Sequence, residues 1–252
     1  MTPGGTNGAE RSIARRLLRL IDLTSLREDD NAVSVGALAA LAATEAGRVA
    51  AFCTWPRFIP VARQTIGGTG IAIAAVANFP AGGNDIDAAA AETAATIAAG
   101  ANEVDVVFPF RAFLDGDTVI GQSLVRACRE ACGNRAILKV ILETGQLDRP
   151  ELIERAAELA IDGGARFLKT STGKRQPGAT PQAVQVLLKV IEAARKRSMT
   201  VGLKVSGGVS TIAQAQSYLE LYEQTFGTGS ATAENFRIGT SALITPVLAA
   251  LQ

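Results

Sequence analysis

The sequence contains no histidine, so it lacks both the most common metal ligand and the usual acid–base side chain at neutral pH. A zinc or iron site would have to be built from cysteines and carboxylates alone. Cys128 and Cys132 could share a helix face in CREAC, but no second ligand pair accompanies them, and packing is the favoured interpretation. We therefore expect no metal and no cofactor, and assign any acid–base chemistry to Lys, Asp, Glu, Tyr or Cys.

Cysteines, aromatic residues and excess charge are also scarce. The three cysteines, an odd and sparse count, indicate a reducing compartment rather than a disulfide framework. Aromatic residues make up 5% and the net charge is +1, so no nucleic-acid partner is expected. No apolar run is long enough to span a bilayer, and MTPGGTNGAERS has no apolar signal region. These absences predict a cytoplasmic protein with no membrane association.

Short apolar runs alternate with helical patterns along the 252 residues. Alternation of this kind favours a parallel sheet, and eight units in this length favour an α/β fold of the (β/α)₈ type, a TIM barrel. No GxGxxG motif follows the first strand, which argues against a doubly wound dinucleotide fold. The predicted strands are 18–24, 48–55, 70–78, 103–108, 136–144, 166–171, 200–206 and 236–240. The clearest predicted helices are 84–100, 148–164, 180–197 and 211–227, the second starting at Asp148 and the third at Thr180.

The domain prediction is simple. Residues 1–10 are expected to be disordered, and residues 11–252 to form one TIM-barrel catalytic domain with a short N-terminal helical segment.

Charged residues interrupt several of the predicted strands. Because active sites of these barrels lie at the carboxyl ends of the strands, the repeated charges predict a convergent polar site. Scattered structural ion pairs are the alternative. The residues concerned are Asp22, Asp105, Glu143, Lys169 and Lys204, with Lys139 earlier in its strand.

Lys169 and Lys204 lie on consecutive predicted strands, which should be neighbours roughly 4.8 Å apart. A like charge at about 4 Å costs around 4 kcal/mol at an effective dielectric near 20, or about three pKa units. One of the two lysines could then be a neutral amine near pH 7, as a Schiff-base enzyme requires. Asp105 could hold the other lysine charged and relay a proton through water. These considerations are nearly symmetric between the two lysines.

Two glycine-containing loops suggest a phosphate site. GGVST (207–211) follows the seventh predicted strand and IGTSA (238–242) follows the eighth. In these barrels, the loops after strands seven and eight commonly bind phosphate. Gly207, Gly208 and Gly239 would let backbone N–H groups approach an anion, and Gly173 and Lys174 could add a donor and a charge.

The motifs IDLTSL, NEVDVVFPFRAF, LKVILETGQL, FLKTSTGK and GLKVSGGV occur in that order in the chain. With them, the chain resembles the deoxyribose-phosphate aldolase family from about residue 17 to residue 250. The resemblance implies a class I aldolase that reversibly joins acetaldehyde and glyceraldehyde 3-phosphate into 2-deoxyribose 5-phosphate. The implied partners are small-molecule aldehyde and phosphosugar substrates. A homodimer stays open, since such relatives are often dimeric.

The resemblance also implies roles for individual residues. Lys169 would be the Schiff-base lysine, Lys204 the second lysine that perturbs it, and Asp105 the proton-relay acid. The residues implied to bind substrate are Asp22, Thr24, Lys139 and Thr172. Those implied to contact phosphate are Gly173, Lys174, Gly207, Gly208, Gly239 and Ser241.

The chain departs from the family pattern at three places. Ser210 stands where many relatives have arginine, and Ala242 replaces the last serine of a GxSS loop. We expect these changes to weaken phosphate binding and the discrimination against non-phosphorylated aldehydes. The sequence ends ITPVLAALQ, so no tyrosine tail is expected to shuttle protons. Cys53, after the second strand, is either an ordinary buried thiol or one that aldehydes modify.

Three other functions compete with this interpretation. A related lysine-dependent aldolase could use a different donor. A non-enzymatic phosphosugar-binding barrel would gain nothing from a neutral lysine, so the lysine pair speaks against it. A metal-dependent aldolase is disfavoured by the absence of histidine.

Overall fold

The computed structural model describes residues 4–252, and its central feature is a closed barrel of eight parallel strands. This confirms the predicted (β/α)₈ architecture, and every predicted strand region overlaps one barrel strand. In order around the barrel, the strands are β1 (Ile21–Ser25), β4 (Ala51–Thr54), β5 (Ala72–Ala77), β6 (Glu103–Val107), β7 (Ile137–Ile141), β8 (Phe167–Lys169), β9 (Gly202–Ser206) and β10 (Phe236–Thr240).

Helices follow the strands on the outside of the barrel. They are α1 (Gly4–Leu18), α2 (Ala32–Ala40), α3 (Ile59–Ile66), α4 (Ile86–Ala98), α5 (Phe110–Leu114), α6 (Ile120–Cys132), α7 (Pro150–Asp162), α8 (Pro181–Lys196), α9 (Ile212–Phe226) and α10 (Ile244–Ala249). A short antiparallel hairpin, β2 (Ala43–Thr44) and β3 (Gly47–Arg48), follows α2. None of the helices described for residues 4–252 is long and apolar enough to cross a membrane.

Helix α1 packs against α9 and α10. Arg16 pairs with Glu223 of α9 at 2.5 Å, and Arg11 donates to the Leu251 carbonyl at 2.9 Å. The helix begins at Gly4, within the segment 1–10 for which the sequence predicts disorder, and residues 1–3 lie outside the described residues.

The predicted helix starts are confirmed at one position and wrong at another. Thr180 is the N-cap of α8, where its hydroxyl accepts the Ala183 N–H, and Pro181 is the first helical residue. Asp148 does not cap α7, because the N-cap is Arg149 and it makes no side-chain capping bond. Proline at the first helical position, Pro150, lacks an N–H that needs capping, which leaves the start less dependent on an aspartate.

Both faces of the barrel strands are covered, by helices outside and by packed side chains inside. Strands β6, β9 and β10 are buried at every position. Strands that are buried on both faces consist mostly of apolar residues. A charged side chain in such a strand is buried and therefore needs a partner of opposite charge or a hydrogen-bond partner nearby. Cys128 and Cys132 are free thiols buried in the hydrophobic core, in keeping with the packing interpretation.

Candidate active site

A cleft of about 780 Å³ opens at the carboxyl ends of β1, β8, β9 and β10. Its walls come from the loops that follow these strands. The sequence-predicted site residues that line it are Thr24, Lys169, Thr172, Gly173, Lys174, Gly207, Gly208, Gly239 and Ser241. The other four, Asp22, Asp105, Lys139 and Lys204, are fully buried beneath the cleft and do not form its wall.

Beneath the cleft, inward-facing side chains of six strands form a connected set of charges, called here the ion cluster. Its members are Asp22, Glu103, Asp105, Lys139, Lys169, Lys204 and Arg237. Of the four cations in this cluster, Lys169 is the one that lines the cleft, and its exposed fraction is 2%. The cluster therefore meets the cleft at the Lys169 amine.

Asp105 is the centre of the ion cluster. Its Oδ2 accepts from the Nζ atoms of Lys169 and Lys204, both at 2.8 Å, and its Oδ1 accepts from Lys139 Nζ at 2.9 Å. Strand register explains the arrangement, because Asp105 pairs with Lys139 across β6 and β7, and Lys169 pairs with Lys204 across β8 and β9. The two lysines are thus neighbours on adjacent strands, as predicted.

Lys169 and Lys204 differ in their carboxylate partners. Lys204 Nζ lies 2.6 Å from Asp22 Oδ2 as well as 2.8 Å from Asp105 Oδ2. Among the described residues, Asp105 is the one carboxylate within salt-bridge distance of Lys169. Burial lowers the pKa of Lys169 below its ordinary value, and the Lys204 charge lowers it further against the attraction of Asp105. The pKa of Lys204 is raised, because Asp105 and Asp22 together outweigh its burial. This asymmetry marks Lys169 as the lysine that more easily becomes a neutral amine.

Arg237 and Glu103 complete the ion cluster by pairing with Asp22 and Lys139. Arg237 donates to Asp22 Oδ1 at 2.5 Å and to Glu103 Oε1 at 3.0 Å, and Lys139 Nζ lies 2.5 Å from Glu103 Oε2. Burial alone would raise the pKa of Asp22 and Asp105, but the surrounding cations outweigh it and hold both pKa values below the ordinary range. Both carboxylates are therefore ionised throughout the neutral range.

Sequence reasoning missed Glu103 and Arg237. Side chains alternate along a strand, so Glu103 faces the same side as Asp105 two residues later. Arg237 likewise falls in the buried strand FRIGT, where a charge needs a partner. The alternation rule could have found both residues.

The loop after β1 supplies another part of the cleft wall that was not predicted. Trp55 Nε1 donates to the Arg27 carbonyl at 3.1 Å, and Asp30 accepts the Arg27 N–H at 2.8 Å, which fixes the loop backbone. The Arg27 guanidinium pairs with Asp29 at 2.7 Å. The lining residues of this loop and of α2 are Arg27, Asp29, Asp30, Asn31, Ser34 and Leu38. Their position after a barrel strand was the available signal.

Backbone N–H groups gather at the end of the cleft near β9 and β10. Within the part of the chain that the structure describes, the N–H groups of Gly173, Gly208, Val209 and Ser241 donate to no protein acceptor. Gly173 and Gly208 have φ values of +77° and +93°, which glycine adopts without strain. Clustered free donors of this kind suit an anion, and the Lys174 side chain adds a positive charge.

Ser210 and Ala242, the two departures from the family pattern in this region, both make hydrogen bonds within the protein. Ser210 donates its N–H and its hydroxyl to Gln214 Oε1, at 3.0 and 3.3 Å, so its side chain is engaged with α9. The Ala242 N–H donates to Thr240 Oγ1 at 3.2 Å. Neither residue brings a charged group to the anion-binding end.

At Gly239, a side chain would collide with side chains of the neighbouring strand β9. A Cβ at this position would lie 2.9 Å from Lys204 Cε and 3.0 Å from Ser206 Cβ. The missing side chain therefore leaves room for Lys204 to reach Asp105 and Asp22.

Cys53 Sγ is fully buried and lies 4.0 Å from Asp105 Oδ2. Burial raises the pKa of this thiol, so that the protonated form is favoured at neutral pH. Its surroundings favour a packed thiol over a reactive one. Among residues 4–252, no group of three or more cysteine or carboxylate side chains is arranged to hold a metal ion.

Comparisons with known proteins agree with this architecture. The chain is 28% identical to a candidate deoxyribose-phosphate aldolase from Coccidioides immitis, covering 94% of this chain and 86% of that one, with a TM-score of 0.82. Two further structures match in fold. A candidate deoxyribose-phosphate aldolase from Toxoplasma gondii is 24% identical over 97% of this chain and 96% of its own, with a TM-score of 0.88. The tetrameric deoxyribose phosphate aldolase from Aeropyrum pernix is 22% identical over 98% of both chains, with a TM-score of 0.76.

The sequence profile of the DeoC/LacD family aldolases matches residues 16–231, which is most of the chain and includes β1 to β9 and the Lys169 and Lys204 strands. The chain therefore belongs to the DeoC/LacD aldolase family and is a carbon–carbon lyase.

Proposed function

We propose that this aldolase is a class I enzyme that reversibly cleaves 2-deoxy-D-ribose 5-phosphate into acetaldehyde and D-glyceraldehyde 3-phosphate. The observation that carries the proposal is Lys169, the cation of the ion cluster that reaches the cleft and the lysine whose pKa is lowered. Only a neutral amine can attack a carbonyl, so a lowered pKa at the cleft surface is what Schiff-base chemistry requires.

The covalent step begins at the Lys169 nitrogen. The neutral amine attacks C1 of the open-chain sugar aldehyde, and loss of water gives an iminium. The C2–C3 bond then breaks: its electron pair moves into the enamine, the C3 hydroxyl loses its proton, and C3 becomes the aldehyde carbon of glyceraldehyde 3-phosphate. Protonation of the enamine at C2 and hydrolysis release acetaldehyde and restore the lysine.

Lys204 and Asp105 are placed to handle protons for these steps. Lys169 Nζ and Lys204 Nζ each lie 2.8 Å from the same oxygen of Asp105, Oδ2. Lys204 keeps its proton and supplies a fixed positive charge, and Asp105 stays ionised, so a water between them and the substrate can carry a proton to or from C2.

The anion-binding end supports a phosphorylated substrate. The free N–H groups of Gly173, Gly208, Val209 and Ser241, with the Lys174 ammonium, would hold the 5-phosphate. Thr24 and Thr172 also line the cleft. Binding the phosphate fixes the sugar chain relative to the amine, which is how remote contacts assist the chemical step. In the cleavage direction, the reaction belongs to deoxyribonucleotide catabolism.

Borohydride trapping tests the proposal. The protein is incubated with acetaldehyde and EDTA, reduced and digested, and the modified lysine is located by mass spectrometry. We expect an adduct on Lys169 in the wild type and in Lys196→Ala, which removes an exposed lysine paired with Glu192, and none in Lys169→Ala. Selective trapping at Lys204 would reverse the two roles, and modification of surface lysines alone would refute the Schiff-base mechanism.

A further inference from the structure

Glu143 is a buried carboxylate outside the ion cluster. It follows β7 by two residues and is fully buried. No salt bridge in the described part of the chain includes it. A buried carboxylate without a cation is costly unless strong donors satisfy it, so this position needs an explanation.

The donors are both on Thr172. Glu143 Oε1 accepts the Thr172 N–H at 3.1 Å, and Oε2 accepts the Thr172 hydroxyl at 2.5 Å. Thr172 Oγ1 in turn accepts the Lys174 N–H at 3.0 Å. A chain of hydrogen bonds therefore runs from the end of β7 into the loop 172–174, whose three residues all line the cleft.

The backbone around Glu143 supports the same interpretation. Its φ is +56°, a left-handed conformation that long side chains rarely adopt and that tertiary contacts must maintain. In the same turn, a Cβ on Gly145 would lie 1.9 Å from the Pro177 carbonyl oxygen, so this turn packs directly against the chain that follows residues 172–174. The strained conformation and the close packing both direct the carboxylate at Thr172.

We propose that Glu143 is a positioning residue that fixes loop 172–174 for the anionic end of the substrate. The inference rests on the proposed function for the nature of that substrate. Glu143 does not line the cleft, so it acts through Thr172 and not on the substrate. Holding the loop in one conformation keeps the free Gly173 N–H and the Lys174 ammonium at the anion-binding end, which lowers the entropy lost on binding.

Glu143→Gln tests the proposal, because the amide has nearly the same shape but accepts one fewer hydrogen bond. We expect KM for 2-deoxyribose 5-phosphate to rise about tenfold, the size of one lost charge-assisted hydrogen bond, with kcat little changed. For 2-deoxyribose without phosphate, we expect kcat/KM to change less than about threefold. Equal losses on both sugars would overturn the proposal.

Two further variants separate positioning from general structural damage. Thr144→Val is the matched control. Thr144 is the adjacent residue, and its buried hydroxyl has no hydrogen-bond partner within residues 4–252, so this variant should behave as the wild type. Glu143→Gly removes the carboxylate and relieves the positive φ, so it should fold and should show the same KM effect as Glu143→Gln. In Glu143→Gln with Thr172→Val, the effect should not exceed that of the larger single change.

Amide hydrogen exchange tests the positioning role of Glu143 without any substrate, and therefore independently of the proposed function. The Thr172 and Lys174 amides should exchange about tenfold faster in Glu143→Gln than in Thr144→Val, and equal rates would overturn the positioning role. Titration of the wild type with inorganic phosphate tests the other part. If phosphate does not bind and the wild type does not prefer the phosphorylated sugar, the substrate assignment fails, while the exchange rates still decide whether Glu143 fixes the loop.

Discussion

At the scale of single residues, the two lysines on β8 and β9 share one carboxylate oxygen but not the same surroundings. Lys204 is held by Asp22 and Asp105, whereas Lys169 is held by Asp105 alone. Sequence reasoning placed both lysines and Asp105 together, but it left the two lysines nearly equivalent. Their difference depends on Asp22, which reaches Lys204 from β1 on the far side of β10. That contact follows from barrel closure and cannot be deduced from the order of residues in β8 and β9.

Removing the Lys204 charge should raise the pKa of Lys169. In Lys204→Met, the repulsion from a neighbouring ammonium is lost and Asp105 attracts the Lys169 proton more strongly. Borohydride trapping with acetaldehyde, measured against pH, reports the neutral amine and does not require turnover. We expect the midpoint of its rise to move to higher pH than in the wild type. A midpoint equal to that of the wild type would contradict the perturbing role of Lys204.

Gly239→Ala should damage the site through Lys204. The added Cβ would lie 2.9 Å from Lys204 Cε, and Lys204 cannot retreat without leaving Asp22 or Asp105. We expect kcat/KM to fall at least about tenfold and the protein to lose about 1–3 kcal/mol of stability, as overpacked cores do. Gly36→Ala on α2 is the control, since its nearest contact would be an ordinary 3.7 Å from Val61. Equal activity of the two variants would refute this account.

At the scale of elements, the loops after β8, β9 and β10 supply the anion-binding end, and the loop after β1 supplies another part of the cleft wall. The loops after β9 and β10 were predicted, because glycine-containing loops after the seventh and eighth barrel strands commonly bind phosphate. Gly173 and Lys174, in the loop after β8, were predicted to add a donor and a charge. The loop after β1 has no comparable signal, since Arg27 and Asp29 look like ordinary solvated charges in the sequence. Its place in the cleft comes from Trp55, which holds its backbone from the next barrel strand.

Ser210→Arg should strengthen the preference for a phosphorylated sugar. In the native protein Ser210 is engaged with Gln214, and no guanidinium reaches the anion-binding end from this loop. An added charge-assisted hydrogen bond is worth roughly 1.5–3 kcal/mol, so the ratio of kcat/KM with and without the 5-phosphate should rise about tenfold or more. Ser217→Arg adds the same charge to the exposed face of α9 and should leave the ratio unchanged. Equal ratios in both variants would place the phosphate elsewhere.

At the scale of the whole molecule, the ion cluster joins six of the eight barrel strands. The eight strands and their helices could be predicted because apolar runs and helical patterns alternate clearly in the sequence. How deep each charged side chain lies below the cleft could not be predicted. A strand pattern shows which face of the sheet a side chain takes, but not how far along the barrel axis it lies. The resemblance implied that Asp22 and Lys139 bind substrate, but both side chains are fully buried and do not line the cleft.

Lysines of the ion cluster should have opposite effects on the stability of the fold. A lysine whose pKa is lowered by folding destabilises the fold at pH values below that pKa, and the effect disappears as pH rises past the unfolded value of about 10.4. Lys169→Met should therefore raise the free energy of unfolding at pH 7, with the gain shrinking toward pH 10 to 11. Urea denaturation at several pH values measures this gain.

Lys139→Met should have the opposite effect on stability from Lys169→Met. The pKa of Lys139 is raised, because Asp105, Glu103 and Asp22 outweigh its burial, so its charge stabilises the fold below the unfolded pKa. Removing it leaves buried carboxylates short of a partner and should cost about 3–5 kcal/mol at pH 7. A Lys169→Met variant that loses as much stability as Lys139→Met would show that Lys169 is an ordinary structural ion pair.

The ion cluster contains four cations and three carboxylates, so a neutral Lys169 leaves its charges balanced. In the proposed reaction, formation of the protonated iminium returns a positive charge to the nitrogen beside Asp105, and the enamine removes it again. Each turnover would then alternate the buried charge of the barrel between zero and +1. Because no loop or helix has to move for this alternation, the barrel can stay rigid while its electrostatic field follows the chemistry.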